Sequence, residues 1–508
     1  MRKILFTVVL SASLLSLLLT CSKKSDMTIR YEMEKKLDEI EHLKSQMSIK
    51  GQQLSDSNLN SLVKEYESVA KMTSLPGNAA DTLTANEELK KSWHLTLAAY
   101  TNIGILYRFV KDYDKAYEYF KIVAKSCASS PIERMASIFN MAKCREQTRK
   151  YVEASALYDT LAILYMPNAK PLNPNMDALD APIRSAEMWQ KIGDINKYNE
   201  KLEQGRNYFI SFRDKFTGTP LENIILGKIA ATYLHQKKYS QAIEIMQSAK
   251  AVGDSLGNNA GQTPPHLLMM IADVYMKNMK QFKNAEKTYR KFIKIYPQHD
   301  KLASAYLGLG LSLYQQGKYA KARKVFRNIE DMPKATAKTA AEAYYAIALC
   351  YEKEGYWEKA IGQFNVVQAA FPGSDKAFEA GLYMASYYKN KGEKKLANKT
   401  FNETELYIKR YANSETNTPM QIARAMGYLV KCYTEREDFN KAIETLTQVY
   451  NKYPQLPEGK LAPLRIADLY ESILKEPNKA AQWLKIFLEA NPDDEKYMQI
   501  MAHIKKLE

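Results

Sequence analysis

Small and aromatic residues recur at regular distances along this chain, among apolar positions spaced three and four residues apart. Counted from Ala348, they follow at offsets of 3, 7, 9, 12, 16 and 24, at Tyr351, Gly355, Trp357, Ala360, Phe364 and Pro372. Apolar residues at this spacing predict amphipathic helices. Gly355 predicts a turn between two helices, and Pro372 predicts the end of the second one. The segment is therefore predicted to be a helical hairpin.

Each residue type in the pattern has a packing role. Ala348 and Ala360 are small enough to lie where two antiparallel helices touch, since larger side chains there overpack by about 1–3 kcal/mol. Aromatic residues such as Phe364 fill the space between neighbouring hairpins and bury large apolar areas. The regular use of aromatic positions also accounts for an unusual abundance of tyrosine, 35 residues in 508.

The same frame recurs over most of the chain. A degenerate copy lies near Ala186, Trp189 and Gly193. The nine clearer copies carry a pair of small or apolar residues, one in each predicted helix: Gly104 with Ala116, Ala142 with Ala154, Ala230 with Ala242, Ala272 with Ala285, Gly310 with Ala322, Ala348 with Ala360, Ala385 with Ala397, Val430 with Ala442, and Ala467 with Ala480. Nine copies in phase predict a repeat architecture.

This pattern resembles the tetratricopeptide repeat. The resemblance implies an all-α solenoid of about nine to ten helical hairpins, wound as a right-handed superhelix with a concave face. Ala285, Ala322, Ala360 and Ala397 are 37, 38 and 37 residues apart. The standard repeat has 34 residues, so slightly longer helices are expected here.

Three segments interrupt the rhythm and are candidate joints. The segment from Pro167 to Pro182 contains four prolines and is predicted to be a loop, while Gly253 to Pro265 and Tyr411 to Pro419 are also predicted to be irregular. The resulting division is a signal peptide at 1–20, a tether at 21–28, a helical cap at 29–92, repeats at 93–167, an irregular or degenerate region at 168–220, and a repeat array at 221–508.

The first residues resemble a bacterial lipoprotein signal. Arg2 and Lys3 precede an apolar run from Ile4 to Leu19, which is too short for a spanning helix, and Cys21 follows. The resemblance implies lipidation of Cys21 and a location at the outer membrane, facing the periplasm. Acyl chains would hold the protein there almost permanently. The alternative is an ordinary signal peptide with an incidental cysteine.

The chain carries a formal net charge of +16, and its densest basic region lies between Lys277 and Arg327. Such charge can attract acidic protein or anionic lipid. Export makes nucleic acid an unsuitable partner. The alternative is a solvated outer face. The cations expected on the convex second helices are Lys287, Arg290, Lys291, Lys294, Lys321, Arg323, Lys324 and Arg327.

A partner-binding groove is expected along the first helix of each hairpin, on the concave side. By helical spacing, the residues just after the first aromatic position of each repeat (Tyr351 in the repeat of Ala348), and those four residues before them, point inward. Aromatic side chains mixed with cations suit an acidic peptide. The alternative is that these side chains pack between helices. The positions are Arg108, Phe109, Tyr314, Tyr345, Leu349, Lys353, Lys389 and Lys431.

The sequence shows no arrangement that would support catalysis. The spacing of Cys144, Cys350 and Cys432 matches no metal-ligand pattern, and packing explains them as small buried side chains. The histidines are scattered, and neither a phosphate loop nor a nucleophile elbow is present. We therefore expect no enzyme activity, no cofactor and no metal. The remote alternative is an envelope enzyme with a site in 166–194.

A lipoprotein cysteine followed by these repeats, with a junction such as Phe371-Pro372-Gly373-Ser374, resembles periplasmic lipoproteins of the BamD type and proteins of the CpoB type. BamD-type proteins are scaffolds in outer-membrane β-barrel assembly, and CpoB-type proteins coordinate envelope constriction with cell-wall synthesis. The resemblance implies an envelope adaptor for protein–protein interactions. The alternative role is cell-wall or division coordination.

Overall fold

The computed structural model describes residues 26–49, 55–73, 87–127, 131–170, 174–257, 263–330, 332–492, 494 and 496–508. Most of these residues are helical, and no strand occurs among them. The predicted signal peptide and Cys21 lie outside the described residues. Among the described helices, none is long and apolar enough to cross a bilayer.

Ten helical hairpins follow one another along the described chain. Within each of the compact units described below, helices that are neighbours in sequence pack on each other, as expected for a repeat array. The hairpins are α3 (Glu87–Phe109) with α4 (Tyr113–Ser126), α5 (Pro131–Gln147) with α6 (Tyr151–Tyr165), α7 (Met176–Ile192) with α8 (Ile195–Arg213), α9 (Pro220–His235) with α10 (Tyr239–Leu256), α11 (Thr263–Asp273) with α12 (Phe282–Ile295), α13 (Leu302–Gln315) with α14 (Tyr319–Arg327), α15 (Ala337–Lys353) with α16 (Trp357–Ala370), α17 (Asp375–Asn390) with α18 (Lys394–Ala412), α19 (Pro419–Glu435) with α20 (Phe439–Lys452), and α21 (Pro457–Asp468) with α22 (Pro477–Ala490).

Three further helices flank the hairpins. α1 (Asp26–Ile49) and α2 (Asp56–Ala70) both pack against α3, and Met33, Leu62 and Tyr66 are buried there. At the other end, α23 (Tyr497–Leu507) packs on α22. The prediction of an all-α tetratricopeptide solenoid of nine to ten hairpins is confirmed.

The chain divides into two compact units, Met1–Leu267 and Leu268–Glu508. The boundary falls inside α11, and each unit has apolar cores of its own. In the second unit one core joins Ala285, Phe292, Leu309 and Phe326. In the first unit one core joins the flanking helices α1 and α2 to the first hairpin.

The small residues of the repeat lie in these cores, as their spacing predicts. Ala322 and Ala360 are fully buried, and Ala397 is 4% exposed. Four residues later each second helix carries a large buried ring or aliphatic side chain, such as Phe326 or Phe364. Cys144, Cys350 and Cys432 are buried free cysteines, which confirms their packing role.

Each hairpin turn contains one residue in the left-handed region of backbone space. Four of the ten are glycines, and six are residues for which this conformation is strained. These residues are Lys111, Arg149, Gly193, Lys237, Lys280, Gly317, Gly355, Gly392, Glu437 and Lys475. In eight hairpins this residue follows the first small or apolar residue by seven positions, and in two it follows by eight.

The two longer hairpins contain a π-turn that takes up the extra residue. Val274–Asn278 extends α11, and Leu469–Ile473 extends α21. In both hairpins the paired small residues are 13 positions apart, as in Ala467 and Ala480, instead of 12. A π-turn adds one residue without moving the flanking helical faces out of register. The pattern of packed small residues is therefore kept despite the extra residue.

Two predicted interruptions are shorter than expected. The proline-rich loop was predicted to reach Pro182, but α7 begins at Met176 and contains that proline. Pro182 is buried against Gly205, where an added Cβ would lie 2.9 Å from its ring, and this packing offsets the missing backbone donor. The region 168–220 is thus mostly a regular hairpin, α7 with α8. The predicted loop from Gly253 to Pro265 is also helical at both of its ends, in α10 and α11.

Candidate functional site

The first helices of the second unit form a continuous face. Neighbouring helices α13, α15, α17, α19 and α21 contact one another in that order. The rings of Tyr345 and Tyr383 are 6.2 Å apart across α15 and α17. Tyr428 on α19 donates a hydrogen bond of 3.5 Å to Glu379 on α17. We call this surface, on α13 to α21, the first-helix face.

A cavity of about 450 Å³ opens on the first-helix face. It lies between the amino-terminal ends of α15, α17 and α19, beside the junction that joins α16 to α17. Its apolar wall consists of Ala337, Ala341, Phe371, Pro372 and Tyr411. Its polar residues are Lys338, Glu342, Ser374, Asp375, Lys376, Glu379, Gln421 and Arg424.

The junction has little freedom to move into this cavity. Gly373 has a φ of +76°, and an added Cβ would lie 2.1 Å from the ring of Tyr411. Ser374 caps α17 by accepting a hydrogen bond from the backbone of Ala377. Arg424 donates a hydrogen bond of 3.0 Å to the carbonyl oxygen of Gly373. These contacts preform one wall of the cavity.

Charges of both signs line the cavity, and part of their bonding capacity is unused. Lys376 pairs with Glu379 at 2.6 Å, and the Nε atom of Arg424 lies 3.6 Å from Asp375. That Nε atom is buried and makes no hydrogen bond within the described residues. Lys338 and Glu342 form no ion pair there either. A ligand with both donors and acceptors, such as a peptide backbone, would complement this arrangement.

The structure places the predicted groove residues in different environments. Tyr345 is only 9% exposed and belongs to a core with Phe364, so the prediction that it lines an open groove is wrong. Its ring packs against Phe364 and Tyr383 because α16 and α17 close over it. Tyr314 and Leu349 are partly buried against the same cores.

The predicted cations of this face remain accessible. Lys353 is exposed and lies 3.2 Å from Glu352, and a hydrogen bond to that carboxylate raises the pKa of Lys353. Lys389 donates to the Glu435 carbonyl oxygen at 2.7 Å and pairs with Glu437 at 2.9 Å. Lys431 is exposed.

In the first unit, the two predicted groove residues differ in their contacts and their exposure. Arg108 donates a hydrogen bond of 2.5 Å to Asn140 on α5, the next first helix, so it joins two hairpins. Phe109, the last residue of α3, is 71% exposed, so its apolar side chain lies on the surface beside the turn.

Acidic residues of the first-helix face were missed at the sequence level. Glu342, Glu352, Asp375, Glu379 and Glu435 lie on α15, α17 and α19 among the predicted cations. Helical spacing could have identified one of them, because Glu379 precedes Tyr383 by four positions and therefore lies on the same side of α17. The face is therefore of mixed charge, whereas the expectation of an acidic peptide was based on its cations and aromatic side chains alone.

Buried tyrosine hydroxyls on this face stay protonated well above neutral pH. Burial, followed by the charge of Glu352, raises the pKa of Tyr314 to about 12. Burial and Glu352 also raise the pKa of Tyr383. Both side chains are therefore neutral under physiological conditions, and the hydroxyl of Tyr383 has Glu352 as a hydrogen-bond partner.

A second surface lies on α12 and α14, two second helices of consecutive hairpins in the second unit. We call it the basic surface. Its cations are Lys283, Lys287, Arg290, Lys291, Lys294, Lys321, Arg323, Lys324 and Arg327. Of these, Arg290 pairs with Glu286, and Arg323 pairs with Glu354 and stacks on the Tyr351 ring. Arg323 is largely buried by these contacts, so it contributes less to the surface than predicted.

The first unit has a smaller cavity, of about 250 Å³, between α6, α7 and α8. Its polar residues include Asp159 and Lys201, which pair at 2.6 Å, and Tyr208, which donates to the Ala162 carbonyl oxygen. Among the residues that the structure describes, no group of three or more His, Cys, Asp or Glu side chains is arranged to hold a metal ion.

Four models of tetratricopeptide repeat families match the chain, at residues 97–124, 265–335, 307–375 and 425–455. No curated protein matches the sequence. Among solved structures, yeast Tom70 is 13% identical with a TM-score of 0.35, covering 87% of this chain and 96% of that chain. A Rap protein complexed with competence and sporulation factor is 16% identical with a TM-score of 0.31, covering 74% and 100%. PilW, a type IV pilus biogenesis factor, is 18% identical with a TM-score of 0.28, covering 47% and 96%.

The matched segments coincide with hairpins of both units, and the repeat pattern in the sequence continues between them. Such repeats are typical of scaffolds that bind other proteins. The chain is therefore an all-α protein built on tetratricopeptide repeats.

Proposed function

We propose that this protein is a scaffold of the bacterial cell envelope, held at the outer membrane by lipid on Cys21, that takes part in outer-membrane protein assembly. It binds extended segments of partner proteins on the first-helix face. The basic surface gives it a second, electrostatic contact with an anionic partner.

The observation that carries the proposal is the cavity between α15, α17 and α19. Its volume of about 450 Å³ lies within the usual range of about 300–1,000 Å³ for ligand sites. Its wall is preformed by the Gly373–Tyr411 contact and by the Arg424 hydrogen bond. A preformed site loses less conformational entropy when a partner binds.

The chemistry of the cavity suits a peptide segment. An apolar wall at Phe371 and Tyr411 can accept one side chain of the partner, while Lys338 and Glu342 can bond its backbone or polar groups. A few well-placed polar groups on an apolar wall are typical of binding sites that select one orientation.

The proposal can be tested by photo-crosslinking in cells. A photoreactive residue replaces Lys338, which is exposed at the cavity, and a matched control replaces Lys399, which is exposed on α18. We expect Lys338 to crosslink to components of outer-membrane assembly that the Lys399 position does not capture. Identical products at the two positions would contradict binding in the cavity.

The proposed attachment of the scaffold to the membrane can be tested in the same cells. In a Cys21→Ser variant we expect the protein to lose its acyl chains and to leave the membrane fraction, since acyl chains supply the anchor. Unchanged acylation and fractionation would contradict the lipid anchor on Cys21 and would leave the proposed binding in the cavity untouched. Crosslinks to peptidoglycan enzymes would instead assign the scaffold to cell-wall coordination.

A further inference from the structure

We propose that the basic surface on α12 and α14 binds the anionic headgroups of a lipid bilayer. The inference rests on the proposed membrane setting only for its biological context, because the surface and its test do not depend on Cys21 or on the cavity.

Four lysines form a stripe along α12. Lys283, Lys287 and Lys291 are four residues apart, and Lys294 follows after three more, so all four lie on one side of the helix. The stripe extends about 16 Å along the helix, since each residue rises about 1.5 Å. All four side chains are exposed.

α14 repeats the arrangement on the neighbouring hairpin. Lys321, Lys324 and Arg327 are three residues apart and exposed. Both helices pack on α13, and Lys318 pairs with Glu286 at 3.2 Å, which joins the two hairpins beside the stripe. Two rows of cations on the second helices of consecutive hairpins favour a broad anionic partner over a single anionic group.

The lysines of these two rows have no ion-pair partner among the described residues, although Glu286 lies on α12 and pairs with Arg290 and Lys318. Lys283, Lys287, Lys291, Lys294, Lys321 and Lys324 form no ion pair with a described residue. On α18, by contrast, Lys399 pairs with Glu403 and Lys409 pairs with Glu405 at i, i+4 spacing. Like charges at this spacing destabilise a helix, so a self-repelling stripe indicates an external anion.

The surface offers little for a protein partner to bury. Among the described residues of α12 and α14, Ile295 is the one large apolar side chain that is strongly exposed, at 45%. Protein–protein interfaces concentrate their energy in buried aromatic and apolar residues. Lipid headgroups require only positive charge close to the surface, and Ile295 lies at the end of the stripe where it can enter the headgroup layer.

The test is flotation of the full chain with phospholipid vesicles. The vesicles contain phosphatidylethanolamine, with or without phosphatidylglycerol, at low and high salt. A variant carrying Lys287→Gln, Lys291→Gln and Lys294→Gln is compared with a control carrying Lys394→Gln, Lys395→Gln and Lys399→Gln on α18. The two variants lose the same net charge, and circular dichroism verifies that both remain folded.

We expect binding that depends on phosphatidylglycerol and weakens with salt. The α12 variant should lose about a hundredfold in affinity, since each of its three removed cations contributes about fivefold near an anionic membrane, and the α18 control should lose much less. Equal losses in the two variants would show that net charge alone acts, and this result would overturn the proposal.

Competition identifies the source of the anion. Free glycerol phosphate at the concentration of the lipid phosphate should not displace the protein, because single anions lack the density of a bilayer surface. Displacement by that compound, or by polyglutamate or duplex DNA at equal anion concentration, would assign the surface to a soluble anion, an acidic protein or nucleic acid and would overturn membrane binding. The crosslinks at Lys338 would be unaffected by any of these outcomes.

Discussion

At the scale of single residues, packing in the repeat depends on side chains too small to separate the helices. Gly310 on α13 faces the fully buried Phe326 on α14, and an added Cβ would lie 2.3 Å from the ring. Gly104 has the same relation to Phe120 in the first hairpin, at 2.8 Å. The ring cannot move into solvent, so the small residue is required.

We therefore predict that Gly310→Ala lowers the free energy of unfolding by about 1–3 kcal/mol, because the methyl group overpacks the core. Gly362→Ala is the matched control, since this helical glycine on α16 has no neighbour within 4 Å. The control should raise the free energy by about 0.5–1 kcal/mol through lower chain entropy in the unfolded state. Urea denaturation followed by circular dichroism measures both, and an equal gain in both variants would contradict the steric argument.

At the scale of helices, tyrosine hydroxyls and carboxylates connect neighbouring elements repeatedly. Tyr119 donates to Glu67, Tyr158 to Glu146 and Tyr433 to Glu405, at 2.8, 3.0 and 2.9 Å. Each tyrosine thus fills an apolar space with its ring and satisfies its hydroxyl at the edge of the core. This double role explains why tyrosine is so common in the chain.

Glu405 on α18 shows how such pairs respond to pH. Burial by itself raises its pKa, but hydrogen bonds from Lys409 and Tyr433 and the charge of Arg436 outweigh burial and hold the pKa below its ordinary value of 4.5. Arg436, which follows α19, donates to Glu405 at 2.7 Å. The carboxylate therefore binds fewer protons in the folded chain than in the unfolded chain near that pH.

We predict that this group stabilises the fold above about pH 4.5 and that the stabilisation is lost as pH falls further through the folded pKa. Glu405→Gln should flatten the decline of the unfolding midpoint between about pH 5 and pH 3, since the variant cannot take up this proton. Thermal unfolding across that range measures the difference. Glu403→Gln, an exposed neighbour paired only with Lys399 among described residues, should decline as the wild type does. If Glu405→Gln also declines in parallel with the wild type, Glu405 is not a source of the acid sensitivity.

At the scale of the whole molecule, each hairpin depends on its neighbours, and the last one depends on α23. Ile504 of α23 is 2% exposed and packs in a core with Leu484, Phe487 and Leu488 of α22. A repeat array loses stability from an end where its terminal interface is weakened.

We predict that Ile504→Ala destabilises the last hairpin by about 2–4 kcal/mol through the cavity it leaves. Hydrogen exchange measured by mass spectrometry should increase in α21 and α22 and remain unchanged in α3 to α6, which lie in the other compact unit. Met498→Ala on the same helix is the control, because Met498 is 76% exposed. Faster exchange throughout both units would show global rather than local coupling.

Much of this architecture was predictable because the repeat is a local pattern. The positions of Ala322, Ala360 and Ala397, the turn glycines and even the degenerate copy at Ala186 follow from distances of a few residues along one helix or one turn. The extra residue between Ala467 and Ala480 was also visible in the spacing. Proline composition misled the prediction at Pro182, because burial against Gly205 outweighs the loss of one backbone donor.

The sequence by itself determined the helical hairpins, their number and their buried small residues, since each depends on neighbours close in the chain. Only the tertiary structure decided that Tyr345 is buried, that Glu342, Asp375 and Arg424 meet around one cavity, and that the α12 lysines form no ion pair with a described residue. Those features depend on how side chains from three or more helices approach one another. Spacing along a single helix cannot specify that approach.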